Sequence, residues 1–310
     1  MVAFPREQAY IWAESERRTM ETTIESVLPW AHELLRESHV PESLLNAELL
    51  LAHATGIDRL RLRIEGKREV TSGELSLFSS LIRRRARREP LQYIVGTTEF
   101  MGIILSVNPH VLIPRPETEV LVERALDLLR ASVVDHPEVL DVGTGSGNIA
   151  LSIRRFFPAA RVTATDISDR AIETAMQNGR MNRIDGIDFQ QVDLFSPLFP
   201  GKKFDLILSN PPYIPQAEFE TLEPEVRLYE PMLATTDEGD GLRLIRALLR
   251  IGLEWLNPGG SMLLELGHGQ AETVVREAEQ HGLQDIRVYP DFAGIPRVFS
   301  ASVLQTESRG

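Results

Sequence analysis

Glu138-Val139-Leu140-Asp141-Val142-Gly143-Thr144-Gly145-Ser146-Gly147-Asn148 passes from a short apolar strand pattern, through a glycine-rich turn, into a helical pattern. The glycines permit a sharp turn and a close backbone approach to a ligand, where any Cβ would collide. An ordinary tight βα turn would use the same residues. So would a nicotinamide dinucleotide site, whose pyrophosphate sits on a GxGxxG loop at a helix N-terminus. Here the spacing is GxGxG with Asp141 ahead of it, which suits a ligand bearing an amino-acid group with its own ammonium. Outward from this loop, strands are predicted at Glu138–Asp141, Arg161–Asp166, Asp188–Asp193, Phe204–Asn210, Ser261–Leu266, Ile286–Tyr289 and Arg297–Ser302. Their alternation with helical segments predicts an α/β fold, a Rossmann-like doubly wound sheet of seven strands covered on both faces.

The N-terminal part reads differently. Residues 1–22 show no clear period and predict a flexible tail, with Met20 a candidate natural start. Residues 23–90 predict a small helical bundle. Val27, Leu28, Ala31, Leu34 and Leu35 recur at helical spacing, Pro41 suits a first turn, Gly56 a C-terminal stop, and Thr71 with Glu74 a capping box ahead of Leu75, Phe78, Leu81 and Ile82. Residues 91–114 predict a β-hairpin linker from the runs Gln92–Gly96 and Gly102–Val107, and residues 115–305 the α/β domain.

With 43% hydrophobic residues, 310 residues suffice for a full core, and no apolar run approaches the roughly 20 residues that span a bilayer. Pro5, Arg6 and Glu7 interrupt any export signal, so the expectation is a soluble cytoplasmic chain. The absence of cysteine excludes disulfides and thiolate chemistry, and the seven histidines show no HxxxH or HExxH spacing, so no metal is expected. Residues 1–90 are neutral, so the whole net charge of −12 lies in residues 91–310, which argues against a large DNA-binding face. The one basic run, Arg83-Arg84-Arg85-Ala86-Arg87-Arg88, reads as the solvated end of a helix or as a patch for an RNA-associated partner.

Asp166 ends the second predicted strand, where a carboxylate meets ribose hydroxyls. Asp193 and Leu194 close the third, where a carboxylate and a backbone N–H meet an adenine edge, although Asp193 also suits a helix N-cap. The fourth strand runs into Asn210-Pro211-Pro212-Tyr213-Ile214. Two prolines fix φ and donate no hydrogen bond, so the Pro211 carbonyl has a set direction. An amide or aromatic amino nitrogen is a poor nucleophile because its lone pair is delocalised. Its two N–H groups match two acceptors, the Asn210 side-chain oxygen and the Pro211 carbonyl, and Tyr213 suits stacking on a flat group. These residues predict methyl transfer from S-adenosylmethionine to a planar amino nitrogen.

The motifs resemble the release-factor glutamine N5-methyltransferase family over about residues 23–303. They include Arg87 to Gly96, Glu99-Phe100, Ile113-Pro114-Arg115-Pro116-Glu117-Thr118-Glu119, the glycine loop, NPPYI, Tyr229-Glu230-Pro231, Asp240-Gly241-Leu242, Leu256 to Gly260, Glu265-Leu266-Gly267, and Asp291 to Arg297. The resemblance implies S-adenosyl-L-methionine held by Gly143, Thr144, Gly145, Ser146, Gly147, Asp166, Asp193, Leu194 and Asn210. It also implies a substrate amide held by Asn210, Pro211, Pro212 and Tyr213, with Asn210, Pro211 and Tyr213 catalytic. The substrate implied is the glutamine of the Gly-Gly-Gln motif in peptide-chain release factors, docked by the helical domain, with no membrane, no direct DNA binding and a monomeric chain. Because Leu194 replaces a bulkier aromatic, Phe195 or Phe100 is the expected stacking partner for adenine. Arg115 and Glu117 read as an ion pair or as shaping a cofactor lid. Gly267-His268-Gly269-Gln270 resembles the substrate motif, but its place after a strand argues against self-methylation. The alternatives are an N6-adenine nucleic-acid methyltransferase, a ribosomal-protein glutamine methyltransferase, and a non-catalytic adaptor for release factors.

Overall fold

The computed structural model describes residues 22–194 and 201–304. The expectations for residues 1–21, including Met20, and for Phe195 lie outside the described residues. The chain divides into two compact units, residues 1–95 and 96–310.

The first unit is helical. Helices Ile24–Glu37, Ser43–Thr55 and Ser72–Ala86 bury Val27, Ala31, Leu35, Leu50, Leu51, Phe78 and Ile82 in one core. Glu74 Oε2 accepts the Thr71 N–H at 2.8 Å while Thr71 Oγ1 accepts the Glu74 N–H at 3.3 Å, so the capping box starts the last of these helices. The basic run does not form a uniform solvated face. Arg85 is buried and donates from Nε to Asn46 Oδ1 at 2.8 Å and from Nη1 to the Glu89 carbonyl at 3.1 Å, tying two helices together. The strand expected at Gln92–Gly96 is instead a helical turn, Leu91–Val95. Pro90 supplies the reason: its carbonyl accepts the Ile94 N–H at 3.1 Å, and Ile94 then packs into the helical core.

The second unit opens with a hairpin, β1 (Thr97–Phe100) against β2 (Ile103–Ser106). Seven further strands follow: β3 (Glu138–Val142), β4 (Arg161–Asp166), β5 (Ile187–Gln191), β6 (Phe204–Ser209), β7 (Leu256–Glu265), β8 (Gln284–Pro290) and β9 (Pro296–Ser302). They form one sheet in the order β5-β4-β3-β6-β7-β9-β8, with β9 antiparallel to both neighbours. Alternate residues enter opposite cores. Val139, Leu206, Leu208, Leu263 and Val298 face helices Glu117–Ala131 and Asn148–Phe156. Leu140, Ile207, Met262, Leu264 and Phe299 face helices Arg243–Trp255 and Ala271–Gln280. Burial on both faces explains why these strands read as unbroken apolar runs. β7 begins five residues before its predicted start, because Leu256 already pairs with Phe204 ahead of a bulge over Pro258-Gly259-Gly260.

No helix among the described residues is long and apolar enough to cross a membrane. Phe299 is fully buried between sheet and helices, so Phe299→Ala is expected to cost about 3–5 kcal/mol of unfolding free energy, read from denaturant titration.

Candidate active site

β3 pairs in parallel with β4 on one side and β6 on the other, with Val142 opposite both Thr165 and Ser209. The loops leaving these strands therefore emerge side by side, at the point where strand order reverses. They line a cavity of about 520 Å³. Gly143, Thr144, Gly145, Ser146, Asp166, Asp193, Leu194, Asn210, Pro211 and Pro212 all face it, so the structure brings most of the sequence-predicted residues together.

Gly143 and Gly145 have φ of +73° and +54°, and an added Cβ at either would meet no atom within 4 Å. The space in front of this backbone is a cradle that side chains would fill. Behind it, Asp141 is fully buried. Its Oδ2 accepts from Thr144 Oγ1 at 2.6 Å and from the Ala150 N–H, while Oδ1 has no hydrogen-bond partner. Burial pushes this carboxyl up to about 7. Ser146 Oγ, on the cavity wall, is likewise buried without a partner. The orphaned Ser146 hydroxyl beside an open cradle suits a ligand with polar edges. Asp166, on the cavity wall, accepts the Gly145 N–H on Oδ2 and the Ser168 N–H on Oδ1, both at 2.9 Å, which fixes its carboxylate there.

Two expected residues stand elsewhere. Gly147, at φ +83°, lies behind the lining, where a Cβ would come within 3.1 Å of the Ala175 Cβ, so its role is close packing of the helix it opens. Tyr213 is also outside the lining: its hydroxyl donates to Glu265 Oε1 at 3.1 Å, which fixes the ring to β7. Phe100 is excluded as an adenine partner because it is buried in the core beneath the hairpin. Asp193 and Leu194 lie beyond the end of β5 at Gln191 rather than within a strand.

Sequence reasoning missed the support behind the NPPY loop. Thr118 Oγ1 donates to Glu265 Oε2 at 2.6 Å and accepts from Asn210 Nδ2 at 3.1 Å. Glu265 is fully buried, and burial pushes it up to about 7 despite the two hydroxyl donors. Arg115 pairs with Glu230 at 2.6 Å, not with Glu117, bracing the segment that carries the cavity residues Pro231 and Leu233. Glu119 Oε1 accepts the Met101 N–H, joining the same motif to the hairpin. Gln270 donates from Nε2 to the carbonyls of Tyr213 and Gly241 and accepts the Gly267 N–H, so its amide is fully used in holding the loop. The Ile113 to Glu119, Tyr229-Glu230-Pro231, Asp240-Gly241-Leu242 and Glu265-Leu266-Gly267 motifs were the available signals for these supports. Gly241, for example, passes so close to the Tyr213 carbonyl that a Cβ would lie 2.2 Å from its oxygen.

Comparison with known proteins places this geometry. Residues 26–96 match the PrmC N-terminal domain and residues 118–225 the methyltransferase small domain. The chain is 42% identical over 281 residues to the release factor glutamine methyltransferase of Geobacter sulfurreducens, covering 91% of this chain and 97% of that protein. It is 36% identical over 270 residues to the one of Fusobacterium nucleatum, covering 87% of this chain and 76% of the other. The fold is shared with the hMettl16 catalytic domain, solved with an MAT2A 3'UTR hairpin, at 17% identity and a TM-score of 0.56 over 74% of this chain and 83% of that one. With that extent of identity along nearly its whole length, the chain belongs to the release factor glutamine methyltransferase family.

Proposed function

We propose that this chain transfers a methyl group from S-adenosyl-L-methionine to the side-chain amide nitrogen of the glutamine in the Gly-Gly-Gln motif of peptide-chain release factors, modulating translation termination in the cytoplasm. The observation that carries the reading is the placement of Asn210 and Pro211 on the wall of the cavity that holds the glycine cradle. Gly143 to Ser146, Asp166, Asp193 and Leu194 would hold the methyl donor, with the buried Asp141 fixing the loop from behind through Thr144 and Ala150. When bound, the donor would supply an electrophilic methyl on a sulfonium; its bonding pair would stay on sulfur, and one amide proton would leave for water.

Every other part of the catalysis belongs to the chain. Asn210 Oδ1 and the Pro211 carbonyl accept the two N–H groups of the substrate amide, orienting the nitrogen so that its developing lone pair faces the donor. The same dipoles face the positive charge that develops on nitrogen. No general base is needed, since the proton becomes acidic only as the methyl arrives. Tyr213, with its hydroxyl on Glu265, holds the loop from behind. The helical unit is assigned to docking the release factor, which gives the reacting loop binding energy from a remote surface.

Incubation with labelled S-adenosylmethionine and purified release factor tests the assignment: label is expected on the Gly-Gly-Gln glutamine, and label on nucleic acid or on ribosomal protein alone overturns it. Asn210→Ala is expected to lower kcat by roughly a hundredfold or more while donor affinity changes by less than about threefold. An intact release factor is expected to give a kcat/KM at least about tenfold above a short Gly-Gly-Gln peptide, and equal values would remove the docking role of the helical unit.

A further inference from the structure

The hydrogen bonds behind the loop form one directed chain. Glu265 sits at the C-terminal end of β7 with no exposure, and each of its oxygens accepts from a hydroxyl, Tyr213 Oη at 3.1 Å and Thr118 Oγ1 at 2.6 Å. A hydroxyl has a single proton, and Thr118 spends it on Glu265. Toward Asn210 it therefore offers only lone pairs, and it receives Asn210 Nδ2 at 3.1 Å. An amide that turns its NH₂ to Thr118 has its oxygen directed away from Thr118.

We infer that Glu265 and Thr118 are positioning residues that set which end of the Asn210 amide meets the substrate. The inference rests on the methyl-transfer reading above and adds its selectivity device. Were the Thr118 proton free to turn to Asn210, the amide would rotate and present N–H to a substrate that also presents N–H. The pair of acceptors would then be lost without any change in backbone. Asn210 alone cannot choose its orientation, because its two ends are nearly equal in size. The carboxylate breaks that symmetry from two side chains away. The 2.6 Å Thr118–Glu265 bond has the donor direction that the chain requires when Glu265 is ionised, the form that prevails above about pH 7. Arg297, which acts electrostatically on Glu265, is itself bonded to Asp291 and to the Leu266 carbonyl, so it leaves both Glu265 oxygens to the hydroxyls.

Steady-state kinetics with S-adenosylmethionine and intact release factor would compare the wild type with Thr118→Val, Thr118→Ser, Glu265→Leu and the Thr118→Val/Glu265→Leu double variant, with melting temperatures recorded for each. Thr118→Val is expected to lower kcat about tenfold or more with the donor KM within about threefold, and Thr118→Ser to recover kcat to within about threefold. Because both residues act through one amide, the double variant is expected to be no more than about twofold slower than the slower single. A Thr118→Val or Glu265→Leu enzyme with wild-type kcat, a serine variant as slow as the valine one, or losses that multiply would overturn the inference. If Thr118→Val melts well below the wild type, Glu265→Leu, which leaves Thr118 in place, carries the same expectation. Wild-type protein that labels some other nitrogen, with this pattern among the variants intact, overturns the glutamine assignment and leaves the positioning role standing.

Discussion

Parallel pairing of β3 with β6, with Val142 set opposite Ser209, is the constraint on which the site depends. Both strands end at the same level, so the glycine turn after one and the NPPY loop after the other face a common space. The Ser209 hydroxyl donates to the Val142 carbonyl at 2.7 Å, locking the two strand ends together just where the loops diverge. A shift of one residue would exchange the two faces of β6 and send Leu206 and Leu208 to the wrong core. Hydrophobic burial thus sets the distance between the cradle and the acceptor pair.

Most of this architecture was legible in the sequence, and the misses have physical causes. Strands buried on both faces appear as apolar runs, so β3, β4 and β6 were located to within a residue. Leu91–Val95 deceived because its apolar and β-branched residues suit a strand, whereas Pro90 and the adjoining helical core make it a turn of helix. Pro258-Gly259-Gly260 has the composition of a turn, yet the backbone there continues into β7 through a bulge.

The site was legible where function is written in backbone, and illegible where it is written in contacts. Gly143, Gly145 and Pro211 announce their conformations by residue type alone. Thr118 and Glu265 lie in two motifs 147 positions apart, and neither motif says that they touch. Only the fold brings the helix Glu117–Ala131 against the end of β7. Gly147 and Tyr213 belong to recognisable motifs, and the contacts they make are a close approach to Ala175 and a hydrogen bond to Glu265. A motif marks a neighbourhood, and the role of each member follows from what it touches.

Gln270 shows what the same recognition chemistry does when turned inward. Its amide nitrogen lies between the carbonyls of Tyr213 and Gly241, at 2.9 and 3.2 Å, with its oxygen on the Gly267 N–H. A methyl added there would displace one of those bonds and loosen the loop that performs the reaction. The Gln270 amide is thus already occupied: its nitrogen holds two acceptors, and it lies outside the cavity lining. An enzyme directed at glutamine amides thus keeps an internal one as a structural clasp.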